Sequence, residues 1–149
     1  MFYKVVLLFS MAILVSGCGD KVVEKQSAKK VDGRWYTTAQ LMRGRKVFKD
    51  NCAICHADKG QGLVKDWQKA QADGKFPAPP LNGSAHAWHH SKALLMRTVN
   101  EGGIPLGGAM PAFKDNLSEA EKDAVLAHIM SLWSEKIYAT WAKRNPAVQ

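Results

Sequence analysis

Cys52-Ala53-Ile54-Cys55-His56 places two thiols at a three-residue spacing and an imidazole directly after the second. This C-x-x-C-H order is the attachment pattern for c-type haem. Each sulfur adds to one vinyl group of the ring as a thioether, and the adjacent histidine is carried underneath to ligate the iron. A thioredoxin-type redox pair would sit in a βαβ context, and no strand alternation is visible. A zinc site needs two further ligands, and no second cysteine pair exists. His86, His89 and His90 could complete one, but nothing in their spacing requires it. A disulfide across two residues would leave His56 without a role.

The elements that must position these groups read as helices. From Thr38 to Asn51, Leu41, Gly44, Val47, Phe48 and Cys52 recur at spacings of three and four. Glycine inside a helix costs about 1 kcal/mol relative to alanine, so Gly44 implies close approach of another helix. A second helix is expected over Ser91 to Asn100, with Leu94, Leu95 and Val99 available for burial and Gly102-Gly103 as its stop. The third starts at the capping box Ser118-Glu119-Ala120-Glu121. It buries Val125, Ile129, Leu132 and Trp133, and is expected to run on through Trp141 to Asn145-Pro146. Between His56 and Ser91 lies a Gly-, Pro- and Ala-rich stretch with one short basic turn around Val64 to Ala72. A connection that long is foreign to a compact domain unless it wraps something, and a large apolar cofactor would fill the centre.

The amino terminus reads as an address. Lys4 precedes an apolar run from Val5 to Val15, closed by Ser16-Gly17-Cys18. This is the pattern of an export signal, not of a span, and its last four residues resemble a bacterial lipobox. Residues 1–17 are therefore expected to be a lipoprotein signal peptide, with Cys18 acylated as the new first residue. Gly19 lacks the aspartate associated with inner-membrane retention, which slightly favours the outer membrane. Residues 18–34 read as the acylated cysteine and a flexible tether, reaching about 20–24 Å on average. Residues 35–149 read as the folded domain with a C-terminal helical extension.

Composition fits this division. The chain has 149 residues, 46% hydrophobic and 23% charged, an ordinary globular balance. Three cysteines are too few for a disulfide scaffold. No apolar run approaches the roughly 18 residues of a membrane span. Twenty-one Lys+Arg against thirteen Asp+Glu give +8, and loss of Lys4 with the leader leaves +7.

Over about Ala39 to Trp133 the chain resembles a class I cytochrome c. The likeness rests on Gly44 and Phe48 before Cys52, the attachment motif, the loop ending Pro77-Ala78-Pro79-Pro80-Leu81, a middle helix, Gly107-Gly108-Ala109-Met110-Pro111 and the capped terminal helix. It implies an all-α cytochrome c fold, three main helices and long loops wrapped around one covalently bound haem c. Cys52 and Cys55 would carry the thioethers, His56 the proximal iron bond and Met110 the distal one. Met42, Met96 and Met130 fall in predicted helices and read as core filler. A soft thioether opposite an imidazole should raise the potential. By the same resemblance Pro79 offers its carbonyl to His56. Trp88 and Arg97 could cover or neutralise the haem propionates. His128 stands where the family usually carries an aromatic residue against the Gly44/Phe48 ridge.

The expected function is single-electron transfer by a periplasm-facing, lipid-anchored carrier in the bacterial cell envelope, with no catalysis of its own. Saturated His/Met coordination leaves no place for a substrate on the iron. The positive charge favours redox proteins with acidic docking surfaces, and the anchor a membrane; no nucleic-acid partner is expected. One alternative is a subunit through which electrons enter or leave a larger oxidase or reductase complex. Another is a haem-based small-ligand sensor or peroxidase, if Met110 is not a firm ligand. A copper-handling role for His86, His89 and His90 is a third.

Overall fold

The computed structural model describes residues 28–148, so the leader, Cys18 and the first part of the tether lie outside the described residues. Five helices follow in order: α1 Thr38–Asn51, α2 Ala53–His56, α3 Lys92–Glu101, α4 Glu119–Ser131 and α5 Glu135–Arg144. Among the described residues there is no strand, only two isolated bridges, Lys30 with Thr37 and Phe76 with Gly108. The fold is all-α.

Local chemistry sets most helix starts. Thr37 caps α1, accepting from the Gln40 amide at 3.2 Å while Gln40 Oε1 accepts from the Thr37 amide at 2.9 Å. Ser91 caps α3, and Ser118 with Glu121 forms the capping box of α4. The two long helices cross at Gly44. A Cβ there would stand 1.9 Å from the Ala124 carbonyl oxygen and 3.1 Å from His128 Cβ, so glycine lets the backbones meet. The core gathers on this crossing: Phe48, Val125, Leu126 and Met130 are almost wholly buried. Every residue from Ala124 to Met130 is buried, so this stretch of α4 is enclosed on all sides rather than apolar on one face.

Three expectations are corrected. The terminal helix does not continue through Trp141. It ends at Ser131 with Leu132 as its C-cap, and Ser134, extended at φ −61 and ψ 156, restarts the chain as α5 by accepting from the Ile137 amide at 3.3 Å. The tether does not extend to residue 34. The Thr38 amide donates to Lys29 O at 3.1 Å, and the Val31 amide donates to Tyr36 O at 2.9 Å. Arg34 lies 3.8 Å over the Tyr138 ring and pairs with Glu135, which fastens this segment to α5. Met42 is not core filler, being 61% exposed, whereas Met130 is fully buried under Trp35 Nε1 at 3.1 Å.

The C-terminal extension folds onto the body. Tyr138 and Trp141 are buried, Tyr138 Oη accepts from the Trp35 amide at 3.1 Å, and Trp141 Nε1 donates to His90 O at 2.8 Å. Buried indole and phenol groups need such partners.

Candidate functional site

The thiols and the imidazole share one tight turn. Backbone amides of Cys55 and His56 both donate to Cys52 O, at 3.1 and 2.9 Å. Cys52 is half-buried, Cys55 is exposed, and both are free thiols. Burial, followed by the neighbouring Cys55, pushes the Cys52 thiol up to about 11. His56 is buried, and that burial holds its imidazole below the ordinary histidine value despite an opposing hydrogen bond. A neutral ring is the form that ligates a metal.

That hydrogen bond fixes the ring. His56 Nδ1 lies 2.9 Å from Pro79 O, the carbonyl named from the sequence. Because a carbonyl only accepts, Nδ1 carries the proton and Nε2 is left with its lone pair. Immediately after His56 the chain turns through Ala57 at φ 62 and ψ 162, a region that is almost exclusively glycine's. The strain lets the Gly62 amide return to His56 O at 2.8 Å.

One extended segment, 76–82, joins the two loops that matter. Its Pro79 carbonyl meets His56, its Leu81 amide donates to Gly60 O at 2.6 Å, and its Phe76 amide donates to Gly107 O at 2.9 Å. Gly107 belongs to the loop of Met110, whose own carbonyl accepts from the Gly103 amide at 3.0 Å. Gly102 makes that return possible, since a Cβ there would fall 2.6 Å from Met110 O. Sequence reasoning missed the anchor of this segment: Trp133 Nε1 donates to Leu81 O at 2.8 Å. A buried tryptophan beside the end of α4 was the available signal, because its N–H must find an acceptor.

The residues fit a covalently held tetrapyrrole. Two free thiols flank a neutral, oriented imidazole, and the tied loops present large apolar side chains: Leu63, Phe76, Ile104 and Leu106 are 67%, 44%, 65% and 76% exposed. Such side chains on loops bound to one another suit an apolar ring better than water. Haem c, when bound, would supply one-electron redox chemistry, and Cys52, Cys55 and His56 are the residues that would hold it; Met110 is partly buried in the loop tied to Phe76.

Arg97 is exposed on α3, its Nε 3.8 Å from Glu101. Trp88 packs on the core and on His89, ring centroids 3.9 Å apart. Of the three neighbouring histidines, His86 stacks on Trp67 at 5.1 Å and His90 meets His86 edge-on at 5.2 Å. Among the described residues no group of three or more His, Cys, Asp or Glu is arranged to hold a metal.

Residues 39–129 match the family described as "Cytochrome C oxidase, cbb3-type, subunit III". The chain belongs to that family. The c-type cytochrome is 30% identical over 106 residues to a cbb3-type cytochrome c oxidase subunit CcoP of Azospirillum sp. (strain B510), covering 71% of this chain and 33% of the relative. It is 29% identical over 120 residues to the CcoP subunit of Rhodobacter capsulatus, 76% of this chain and 35% of that one. The cytochrome c subunit of a quinone alcohol dehydrogenase from Gluconobacter oxydans (strain 621H) is 30% identical over 132 residues, 80% of this chain and 25% of that one. The chain thus spans about a third of the length of the curated relatives it matches. No solved structure matches it.

Proposed function

We propose that this cytochrome is the haem-bearing electron-transfer module of a larger envelope oxidase or dehydrogenase, taking one electron from a donor and passing it to the complex. The names of its relatives, subunits of an oxidase and of a dehydrogenase, favour this over the freely shuttling carrier expected first. The observation that carries the electron-transfer reading is the His56 Nδ1–Pro79 O contact at 2.9 Å, which presents Nε2 beside two free thiols.

One haem c is attached through Cys52 and Cys55, since the sequence holds a single C-x-x-C-H. His56 and Met110 are its axial ligands, so the module has no catalytic step of its own. Pro79 is a positioning residue acting through His56. Acylated Cys18 ties residues 19–28 to a membrane on the periplasmic side, with redox proteins bearing acidic surfaces as partners.

Fractionation tests this. Mild-detergent extraction should recover the protein together with a membrane oxidase or dehydrogenase, in the inner-membrane fraction. Recovery alone, or in the outer membrane, supports the free carrier instead. Cys18→Ala should release soluble protein; retained membrane partitioning contradicts the anchor.

A further inference from the structure

A cleft of about 430 Å³ opens where α1, α4 and the loop after His56 meet, on residues to which the electron-transfer reading gives no task. Arg45 and Lys49 line it from α1, Asp58 and Lys59 from the loop, and His128 from α4. None of Arg45, Lys49, Lys59 or Asp58 takes part in an ion pair among the described residues. Three cations against one carboxylate leave the lining positive.

His128 forms the inner wall. It is 5% exposed, meets Phe48 edge-on with centroids 5.0 Å apart, and its Nδ1 has no hydrogen-bond partner. A buried polar atom without a partner costs about 1–3 kcal/mol, so an imidazole at this position calls for a reason. Burial and then the Arg45 charge keep this ring neutral. Negative charge in the cleft opposes both influences and relieves the mutual repulsion of Arg45, Lys49 and Lys59.

We propose that this cleft binds a phosphate-type oxyanion, held by Arg45, Lys49 and Lys59, with His128 as the group that responds to it. The oxyanion is either a free phosphate or the phosphodiester of an anionic lipid headgroup, and the cleft is the same in both cases. Its room, many times the roughly 30 Å³ share of one water, accommodates the ion with part of its hydration. The site stands independently of the redox reading, because nothing in it uses the haem or its ligands.

The test follows the His128 ring protons by NMR in the reduced holoprotein. Inorganic phosphate should shift them saturably and raise the pH at which His128 titrates, while chloride at equal ionic strength does not. Co-sedimentation with vesicles of phosphatidylglycerol, against phosphatidylcholine alone, probes the lipid source. Arg45→Ala/Lys49→Ala, two exposed substitutions, should weaken binding about fivefold or more, whereas Lys65→Ala/Lys75→Ala, the same change of net charge elsewhere, should not. A response to phosphate assigns the soluble ion, and a response to vesicles alone assigns the headgroup; either supports the site. Absence of a saturable response to both probes, or equal losses in the two double variants, overturns it.

Discussion

Gly44 and Ala124 touch through backbone, the glycine Cα facing the alanine carbonyl so closely that a methyl group there would lie 1.9 Å from its oxygen. The α1–α4 crossing, and with it Phe48 one turn before the attachment motif, rests on that contact. Gly44→Ala gains about 1 kcal/mol of intrinsic helix preference. It also forces the helices apart, at a cost of about 1–3 kcal/mol or more. Net destabilisation, read as a lower urea midpoint and a poorer yield of haem-loaded protein, is expected.

Ala57 holds φ 62 next to His56. Ala57→Gly relieves strain of order 1–3 kcal/mol at one residue, less the extra entropy glycine brings to the unfolded chain. A modest rise in the denaturation midpoint with an unchanged haem spectrum is the expected outcome. A drop in stability would show that the alanine methyl makes a contact the backbone argument neglects.

His128 gives the protein an acid-sensitive crossing. Burial and Arg45 lower its pKa in the folded state, so the unfolded chain takes up the proton first. Stability from this residue is therefore complete above its unfolded value of about 6.5 and is lost as pH falls towards the lower folded value. His128→Phe removes the unpartnered Nδ1 and should stabilise the fold by about 1 kcal/mol. It should also flatten the fall in urea midpoint between neutral and mildly acidic pH. An unaltered pH profile would assign the acid sensitivity to other groups.

Met110 is the proposed distal thioether. Met110→Ala should leave covalent attachment intact, lower the reduction potential, and admit carbon monoxide to the ferrous iron, which in the wild type should bind it poorly. Redox titration and a Soret shift on adding carbon monoxide read both effects. An unchanged potential would take Met110 out of the coordination.

Much of this architecture is legible in the chain because it is written locally. The C-x-x-C-H motif, the Ser118/Glu121 capping box and the unexplained Gly44 each state their requirement within a few residues. Pro79 follows from the resemblance, and its carbonyl stands where that resemblance puts it. The break at Ser134 is hidden because Leu132 and Trp133 continue the helical spacing, and only the Ser134 side chain, capping Ile137, marks the restart. Arg34 sits in a charged run that reads as solvated; its partners, Glu135 and Tyr138, lie about a hundred positions away and carry no local signal. His128 is visible as an oddity in sequence, but the cleft of cations beside it appears only once α1 and the loop at Asp58 and Lys59 are brought together.

The most direct measurement is the absorption spectrum of protein matured with its export and haem-attachment machinery, taken in both redox states before and after extraction with acidified organic solvent. A reversible oxidised-to-reduced change, with all colour remaining on the polypeptide after extraction and lost from Cys52→Ala/Cys55→Ala, is the expected result. Colourless material, or pigment that passes into the solvent, would contradict the covalent haem on which the rest is built.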